Sequence, residues 1–250
     1  MHWELIAAFF AISFVYASVG FGGGSSYLAI LSLFIKNIPQ IKLTALICNI
    51  VVVTGGTFHF VAKDQMPWKK LVLLVVASIP LTYLGAQFKL KDDTFFVLLG
   101  ITLLFAAGAL LIKEKQEVTA PKKFITSPLF SAGLGGVIGI LSGMVSIGGG
   151  IFLSPILNIL KWDAAKKIAA TSSMFILVNS VAGIAGQAAT MNDTACDWQL
   201  IFILALSVFA GGQLGSVMGL KWLSHTAVKR VTAIVISIAA FEVLHKHLHF

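Results

Sequence analysis

The 250 residues of the chain divide into ten apolar runs separated by short polar or glycine-rich segments. Six of these runs approach the roughly 20 residues that an α-helix needs to cross a bilayer at 1.5 Å per residue. Two others, 26–35 and 151–160, can cover only about half of that thickness. The pattern predicts an all-α polytopic membrane protein. The ten runs are 3–19, 26–35, 43–62, 70–88, 95–112, 128–145, 151–160, 168–190, 199–218 and 229–245.

A triple glycine stands before each of the two short runs, at 22–24 and at 148–150. Three successive glycines interrupt a helix, because glycine gains little from helical geometry and readily adopts other conformations. Each short run, together with the run before it, is therefore expected to form a helical hairpin with a glycine break at its tip. The first run, 3–19, lacks the basic start of a signal peptide, and its pattern recurs in mid-chain.

The two glycine breaks belong to a duplication of the whole chain. Segment 19–24 matches segment 145–150 at an offset of 126 residues, and later matches include Gly85 with Gly215. Each half is expected to contain one glycine-broken hairpin and three transmembrane helices. The predicted divisions are a first transmembrane repeat at 1–112, a cytoplasmic basic linker at 113–127 and a second transmembrane repeat at 128–250.

The charged residues support a membrane protein and predict its orientation in the membrane. The chain is 58% hydrophobic and 11% charged, with a mean hydropathy of +0.94, whereas soluble domains have about 25% charged residues. If each glycine break returns the chain to its side of entry, four loops hold 13 of the 18 Lys and Arg residues and face the cytoplasm. This orientation predicts two inverted repeats, with both termini on the outer side of an inner or plasma membrane. The four loops are 63–70, 113–127, 161–167 and 219–230.

Several other classes of protein are not expected. The net charge of +8 comes from basic residues that lie singly or in pairs between apolar runs, so nucleic-acid binding is not indicated. The spans lack a serine–histidine motif, a His-Glu-x-x-His motif and a pair of aspartates, so catalysis is not expected. Cys48 and Cys196 have no metal-site spacing, and we expect no metal or cofactor. The expected partners are a small anion and the lipid bilayer, with the oligomeric state left open.

The glycine breaks are the main candidate site. A half-helix that begins inside a membrane presents backbone N–H groups without intrahelical partners, at the positive end of its dipole. A small oxyanion can satisfy them, because glycine lets the backbone approach a ligand closely. Ser25 and Ser26 add hydroxyl donors in the first half, where the second half has Ile151. The alternative is that the glycines only allow two hairpins to pack closely.

Polar residues inside the predicted spans are further candidates. Each of them requires a polar partner in lipid and either lines a substrate path or bonds between helices. These residues are Asn49, Asn179, Gln187 and Gln213. His59 could carry a proton, but a lone histidine near the membrane surface has no required role. Glu242 lies well inside a span and has no counterpart in the first half. The roles of these last two residues stay open.

Hydroxyl groups and small residues complete the candidate features. Thr44 and Ser172 lie one turn into the helix after each hairpin and could face the glycine breaks. Bonding to their own helix backbone is the alternative for both. Glycines recur at every fourth position in 135–143 and in 211–219, a pattern typical of close helix packing rather than of chemistry.

The chain resembles the sulfite exporter TauE/SafE family, also called the toluene-sulfonate uptake permease family, over nearly its whole length. The resemblance rests on size, on the duplicated halves and on the motif Gly-Gly-Gly-x-x-x-x-Pro, which is complete from Gly148 to Pro155. Segment 170–172 resembles the family's Ala-Thr-Ser and adds Thr171 to the candidates. In the first half, Ala29 replaces the motif proline and 43–45 is a degenerate copy of Ala-Thr-Ser.

The resemblance implies a secondary transporter of small sulfur-containing anions such as sulfite or organosulfonates. An interior-negative membrane potential drives an anion outward by about 2.3 kcal/mol per charge per 100 mV, so export needs no coupling ion. We therefore expect an exporter that works by alternating access around the two half-helix N-termini. The alternatives are a proton- or sodium-coupled importer of small organic anions and a non-transporting scaffold. The candidate substrate-binding residues are Gly22, Gly23, Gly24, Ser25, Ser26, Gly148, Gly149, Gly150, Ile151, Thr44, Asn49, Thr171, Ser172, Asn179 and Gln213.

Overall fold

The computed structural model describes residues 3–17, 22–111, 127–191 and 196–222, with scattered helical positions between 233 and 245. These residues form α-helices joined by short loops, as predicted. Most of the expected linker and Glu242 lie outside the described residues. The continuous helices are α1 (Trp3–Ala17), α2 (Gly24–Phe34), α3 (Ile38–Ala62), α4 (Trp68–Gln87), α5 (Asp92–Leu111), α6 (Pro128–Val145), α7 (Gly150–Ile159), α8 (Ala165–Ala188) and α9 (Trp198–Trp222).

Helix lengths separate possible membrane spans from shorter segments. Within the described residues, five helices are long and apolar enough to cross a membrane. One of them is α6, which the sequence pattern assigns to the arm of a hairpin. The two short runs are confirmed as half-length helices, since α2 has 11 residues and α7 has 10. The five apolar segments are Ile38–Ala62, Trp68–Gln87, Pro128–Val145, Lys166–Ala188 and Trp198–Ser216.

The most extensive helix contacts are those of α4 with α6 and of α1 with α9. Both pairs cross closely, because glycines at every fourth position of one helix lie against the backbone of the other. This geometry confirms the packing role predicted for these glycines. Residue numbers rise together along each contact, so the helices of each pair run parallel. Gly135, Gly139 and Gly143 face the carbonyl oxygens of Leu74, Ser78 and Thr82, and Gly211 and Gly215 face those of Phe10 and Phe14.

Helices α3 and α8 pack along each other and run antiparallel. At one end, Gln187 Nε2 donates a hydrogen bond to the carbonyl oxygen of Pro39 at 2.6 Å. Farther along the pair, the hydroxyl oxygens of Thr57 and Ser173 lie 2.6 Å apart. Polar side chains that would be costly in lipid are thus bonded between the two helices.

The loop before α8 contacts the start of α4 at one end of the bundle. Lys70 Nζ lies 2.7 Å from Asp163 Oδ2 and 4.9 Å from the ring centroid of Trp162. Asp163 Oδ1 accepts a hydrogen bond from the Ala164 N–H at 2.8 Å and lies 3.9 Å from Lys167 Nζ. Partial burial alone would raise the pKa of Asp163, but these hydrogen bonds and the two lysine charges hold that pKa below its usual value. We call Lys70, Trp162, Asp163 and Lys167 the loop clasp.

Candidate functional site

The first glycine break leads into α2. The first helical hydrogen bond is donated by the Tyr27 N–H to the Gly23 oxygen at 2.9 Å, so the N–H groups of 24–26 precede it. Ser25 and Ser26 are both buried in this turn. Ser26 Oγ lies 2.8 Å from the hydroxyl oxygen of Tyr16 in α1. Ser25 Oγ has no hydrogen-bond partner in the described part of the chain.

The second glycine break has a different backbone. Gly148 and Gly149 have φ angles of +84° and +79°, in the left-handed region that costs other residues about 1–2 kcal/mol. α7 begins at Gly150, and its first intrahelical bonds are accepted by the Gly149 oxygen. The side chain of Ile151 is buried in the apolar core. This half-helix therefore carries no hydroxyl donor at its first side chain.

The two breaks are in contact with each other. A Cβ built on Gly24 would lie 2.7 Å from the carbonyl oxygen of Ile147, which stands just before the second triple glycine. The position therefore requires glycine, because any larger residue would push the two chain segments apart. This close approach brings the start of α2 next to the end of the connection from α6.

Asn49 of α3 lies between the two breaks and is fully buried. Its Nδ2 donates a hydrogen bond to the Ile147 oxygen at 2.9 Å, and a Cβ on Gly148 would lie 3.0 Å from the same nitrogen. A Cβ on Gly22 would lie 2.7 Å from Asn49 Oδ1, an oxygen that has no hydrogen-bond donor among the described residues. The Asn49 amide therefore contacts both breaks, with Oδ1 next to Gly22 and Nδ2 next to both Gly24 and Gly148.

Three buried serines lie on the helices next to the second break. Ser142, Ser172 and Ser180 are each at most 1% exposed, and their hydroxyls have no hydrogen-bond partner within the part of the chain that the structure describes. A Cβ on Gly148 would lie 3.0 Å from Ser180 Oγ, and one on Gly150 would lie 3.3 Å from the backbone carbonyl oxygen of Ser172. An unpaired buried hydroxyl costs about 1–3 kcal/mol, so such a group calls for a ligand or water. Sequence reasoning missed Ser142 and Ser180.

Three of the predicted site residues have hydrogen bonds away from the breaks. The two threonine hydroxyls bond to their own helix backbone, which is the alternative given above for Thr44. The asparagine bonds to α4 and to its own helix. These contacts favour structural roles. Thr44 Oγ1 donates to the Gln40 oxygen at 2.7 Å, Thr171 Oγ1 donates to the Lys167 oxygen at 2.8 Å, and Asn179 accepts from Thr82 Oγ1 at 2.7 Å and donates to the Phe175 oxygen at 2.8 Å.

A cleft lies next to the breaks, along α3 from Asn49 toward the end that carries the loop clasp. Gln213 is an exposed wall residue of this cleft, and a Cβ on Gly55 would lie 3.2 Å from its Nε2. The structure therefore places this candidate in the cleft rather than between the breaks. His59 is exposed one turn farther along α3. The cleft is lined by Ala17, Val52, Val53, Gly55, Gly56, Ser173, Gly212, Gln213 and Ser216.

Comparison with known proteins gives one family and one relative. A family model described as "Sulfite exporter TauE/SafE" matches residues 5–243. The chain is 32% identical over 247 residues to a protein of Sinorhizobium fredii (strain NBRC 101917 / NGR234) named "Probable membrane transporter protein y4hK". That alignment covers 96% of this chain and 97% of the relative. No solved structure matches the chain.

Proposed function

This chain belongs to the sulfite exporter TauE/SafE family of membrane transporters, and we propose that it exports small sulfur-containing anions such as sulfite or organosulfonates. The family and the five apolar helices indicate an integral membrane protein. The observation that carries the proposal is the contact of two glycine breaks around Asn49, with buried unpaired hydroxyls beside it. We propose a transport role without catalysis.

The halves are proposed to be inverted repeats. The antiparallel course of α3 and α8, which occupy corresponding places in the two halves, supports this relation. A pair of equivalent contacts supports it further. Gly85 packs on the carbonyl oxygen of Ile140, and Gly215 packs on that of Phe14. Phe14 and Ile140 stand 126 residues apart, as the glycine breaks do. Each of the two contacts is therefore the counterpart of the other when the halves are interchanged.

The proposed anion site uses neutral donors. An oxyanion at the breaks would accept hydrogen bonds from the N–H groups at the starts of α2 and α7, where the helix dipoles favour negative charge. The hydroxyl of Ser25 lies on the first half-helix, and that of Ser180 lies beside the second break. Asn49 contacts both breaks, and its Oδ1 has no hydrogen-bond donor among the described residues. Its Nδ2, released from Ile147, would then donate to the anion.

A small cleft lies on one side of the breaks. It lies toward the end that carries the loop clasp, which the distribution of basic residues assigns to the cytoplasm. An anion would enter there, bind at the breaks and leave on the opposite side after the halves rock about the site. Both termini would then lie outside an inner or plasma membrane. The membrane potential would drive the anion outward without a coupling ion.

Counterflow in proteoliposomes tests this proposal. Purified protein would be reconstituted with internal sulfite, thiosulfate, an organosulfonate or a carboxylate, and uptake of labelled external anion would be followed. Saturable counterflow with the sulfur anions and little with the carboxylate is expected, compared with protein-free liposomes. Uptake that occurs only with an inward proton or sodium gradient would instead indicate coupled import. Absence of counterflow for every anion in the panel would contradict the proposed function.

A further inference from the structure

Lys42 is a buried cation that the proposed site does not use. It is the fifth residue of α3, and only 6% of its surface is exposed. Its Nζ lies 4.9 Å from the ring centroid of Phe95 in α5. Among the described residues, Lys42 takes part in no ion pair and no side-chain hydrogen bond. The ammonium group of this largely buried side chain thus has an aromatic face as its neighbour and no acceptor among the described residues.

Lys70 shows how this protein stabilises a lysine with a structural role. Its ammonium also lies 4.9 Å from an aromatic ring, that of Trp162, but it has a carboxylate at 2.7 Å and a carbonyl oxygen at 3.2 Å as well. It is also more exposed than Lys42. A cation–π contact stabilises a charge by less than burying an ion costs. The aromatic contact of Lys42 therefore does not offset its burial, and an anion would.

The position of Lys42 relates it to the glycine breaks. Lys42 precedes Asn49 by seven residues, which is two helical turns, so the two side chains lie on the same face of α3 about 10 Å apart along its axis. The cleft begins on the other side of Asn49, at Val52. Lys42 therefore lies toward the end of α3 where Gln187 bonds to Pro39, opposite the end that carries the loop clasp.

We propose that Lys42 is the counter-charge of a second anion position, which receives a small oxyanion on the outer side of the glycine breaks. That the oxyanion is the transported one rests on the proposed function, whereas its binding at Lys42 does not. An anion next to the ammonium would form the charge-assisted hydrogen bonds that the described residues do not provide. The two positions would pass the anion along one face of α3.

Anion-dependent thermal stability of the purified protein in detergent tests the site directly. The probes are sodium sulfite and sodium sulfate, against sodium chloride at equal ionic strength. At about ten times the Kd, the wild type should gain about 4 °C in Tm. Lys42→Met should unfold at a higher Tm than the wild type without the anion, because a costly buried charge is removed, and should lose most of the anion-induced shift. Lys42→Arg should keep most of the shift.

Lys36 provides a matched control, because it is an exposed lysine just before the start of α3. Lys36→Met should respond to the anions as the wild type does. If Lys42→Met does not yield folded protein, Lys42→Gln removes the charge while keeping a polar group and should likewise lose the shift. An undiminished shift in a neutral Lys42 variant, or a wild type that no probe stabilises, would overturn the proposal.

Transport separates this proposal from the proposed function. In proteoliposomes, Lys42→Met should raise the KM for sulfite presented at the outer face by about tenfold and change the KM at the inner face less. If the wild type shows the Lys42-dependent shift in Tm but no counterflow, the anion site stands and the proposed function fails. If counterflow occurs and Lys42→Met alters neither its KM nor the shift in Tm, the function stands and the second anion position fails.

Discussion

The two glycine breaks share a sequence motif but use glycine for different reasons. At the second break, Gly148 and Gly149 have positive φ angles, so the backbone conformation itself requires glycine. At the first break, Gly23 has an ordinary φ of −95°, and glycine is needed because neighbouring groups leave no room for a side chain. Gly24 is the clearest case, since it contacts the backbone at Ile147. Equivalent motifs in two halves of a chain thus need not have equivalent physical roles.

The breaks also differ in polarity. The first carries Ser25 and Ser26 on its own half-helix, whereas the second begins with Ile151 and has the Ser180 hydroxyl of α8 beside it. An anion between them would therefore have donors of different origin on its two sides. The first half-helix would bring its serines with it when the halves move, while Ser172 and Ser180 would move with α8. This difference suggests that the two breaks contribute unequally to affinity and to stability.

Substitution by alanine separates the two roles of glycine, and Gly149→Ala should have the largest effect on stability. Its positive φ would cost about 1–2 kcal/mol, and its Cβ would lie 2.7 Å from the Phe175 ring, which adds about 1–3 kcal/mol of overpacking. Gly23→Ala should cost only the overpacking energy, because its Cβ would contact the Tyr27 ring. Thermal unfolding in detergent would measure both variants.

Gly133 provides the control for this comparison, because a Cβ there meets nothing within 4 Å. Gly133→Ala lies in α6 and should stabilise the protein by about 0.5–1 kcal/mol. If Gly23→Ala loses more stability than Gly149→Ala, the proposal that backbone conformation requires glycine at the second break and lack of space requires it at the first is wrong.

Asn49→Asp is expected to have the largest effect on transport. It keeps the size of the side chain but places a carboxylate between the breaks, where it would repel an anion and compete for the N–H groups at the start of α2. Counterflow should fall at least about tenfold, which corresponds to about 1.4 kcal/mol. Asn49→Leu should also reduce it, through loss of the Nδ2 donor. Thr54→Val serves as a control on the exposed face of α3, where the Thr54 hydroxyl bonds its own helix. Normal counterflow by Asn49→Asp would contradict a site at the breaks.

Sequence alone predicts the elements at the breaks closely. The expected runs 26–35 and 151–160 correspond to α2 and α7, because hydropathy and consecutive glycines act over a few residues. The residues that surround the breaks were harder to identify. Ser180 follows Asn179 in the apolar run 168–190, and only the packing of α8 on the second break indicates a role for its hydroxyl.

Lys42 is a second residue whose environment could not be predicted from the sequence. Its place next to the apolar run 43–62 is typical of a charge at the membrane surface. Its burial follows from the packing of Phe95, which lies more than fifty residues farther along the chain. Burial that depends on such distant contacts leaves no periodic pattern in the sequence.

The loop clasp distinguishes the second hairpin from the first at its base, and Asp163→Asn should weaken it modestly. The folded protein holds the pKa of Asp163 below its usual value, so the stability from this carboxylate is present above the unfolded pKa of about 3.9 and is lost as the pH falls through the lower folded pKa. Removing it should cost about 1 kcal/mol or less at neutral pH. Tm measured between pH 7 and pH 3 should fall less for Asp163→Asn than for the wild type.

Asp64 is the control for this pH dependence, because it is exposed in the loop after α3. Asp64→Asn should leave the pH profile of Tm unchanged. Equal profiles for the wild type and Asp163→Asn would mean that the clasp adds nothing to the stability of the second hairpin.

The two serines of the first break should separate stability from affinity, and Ser25→Ala should have the smallest effect on Tm. Ser26→Ala removes a hydroxyl 2.8 Å from that of Tyr16 and should cost about 0.5–1.5 kcal/mol. Ser25→Ala removes a buried hydroxyl without a partner among the described residues, so it should leave Tm unchanged or raise it. It should nevertheless raise the KM for sulfite in counterflow several-fold, because that hydroxyl is proposed to donate to the anion. An unchanged KM for Ser25→Ala would mean that the Ser25 hydroxyl does not contribute to substrate binding.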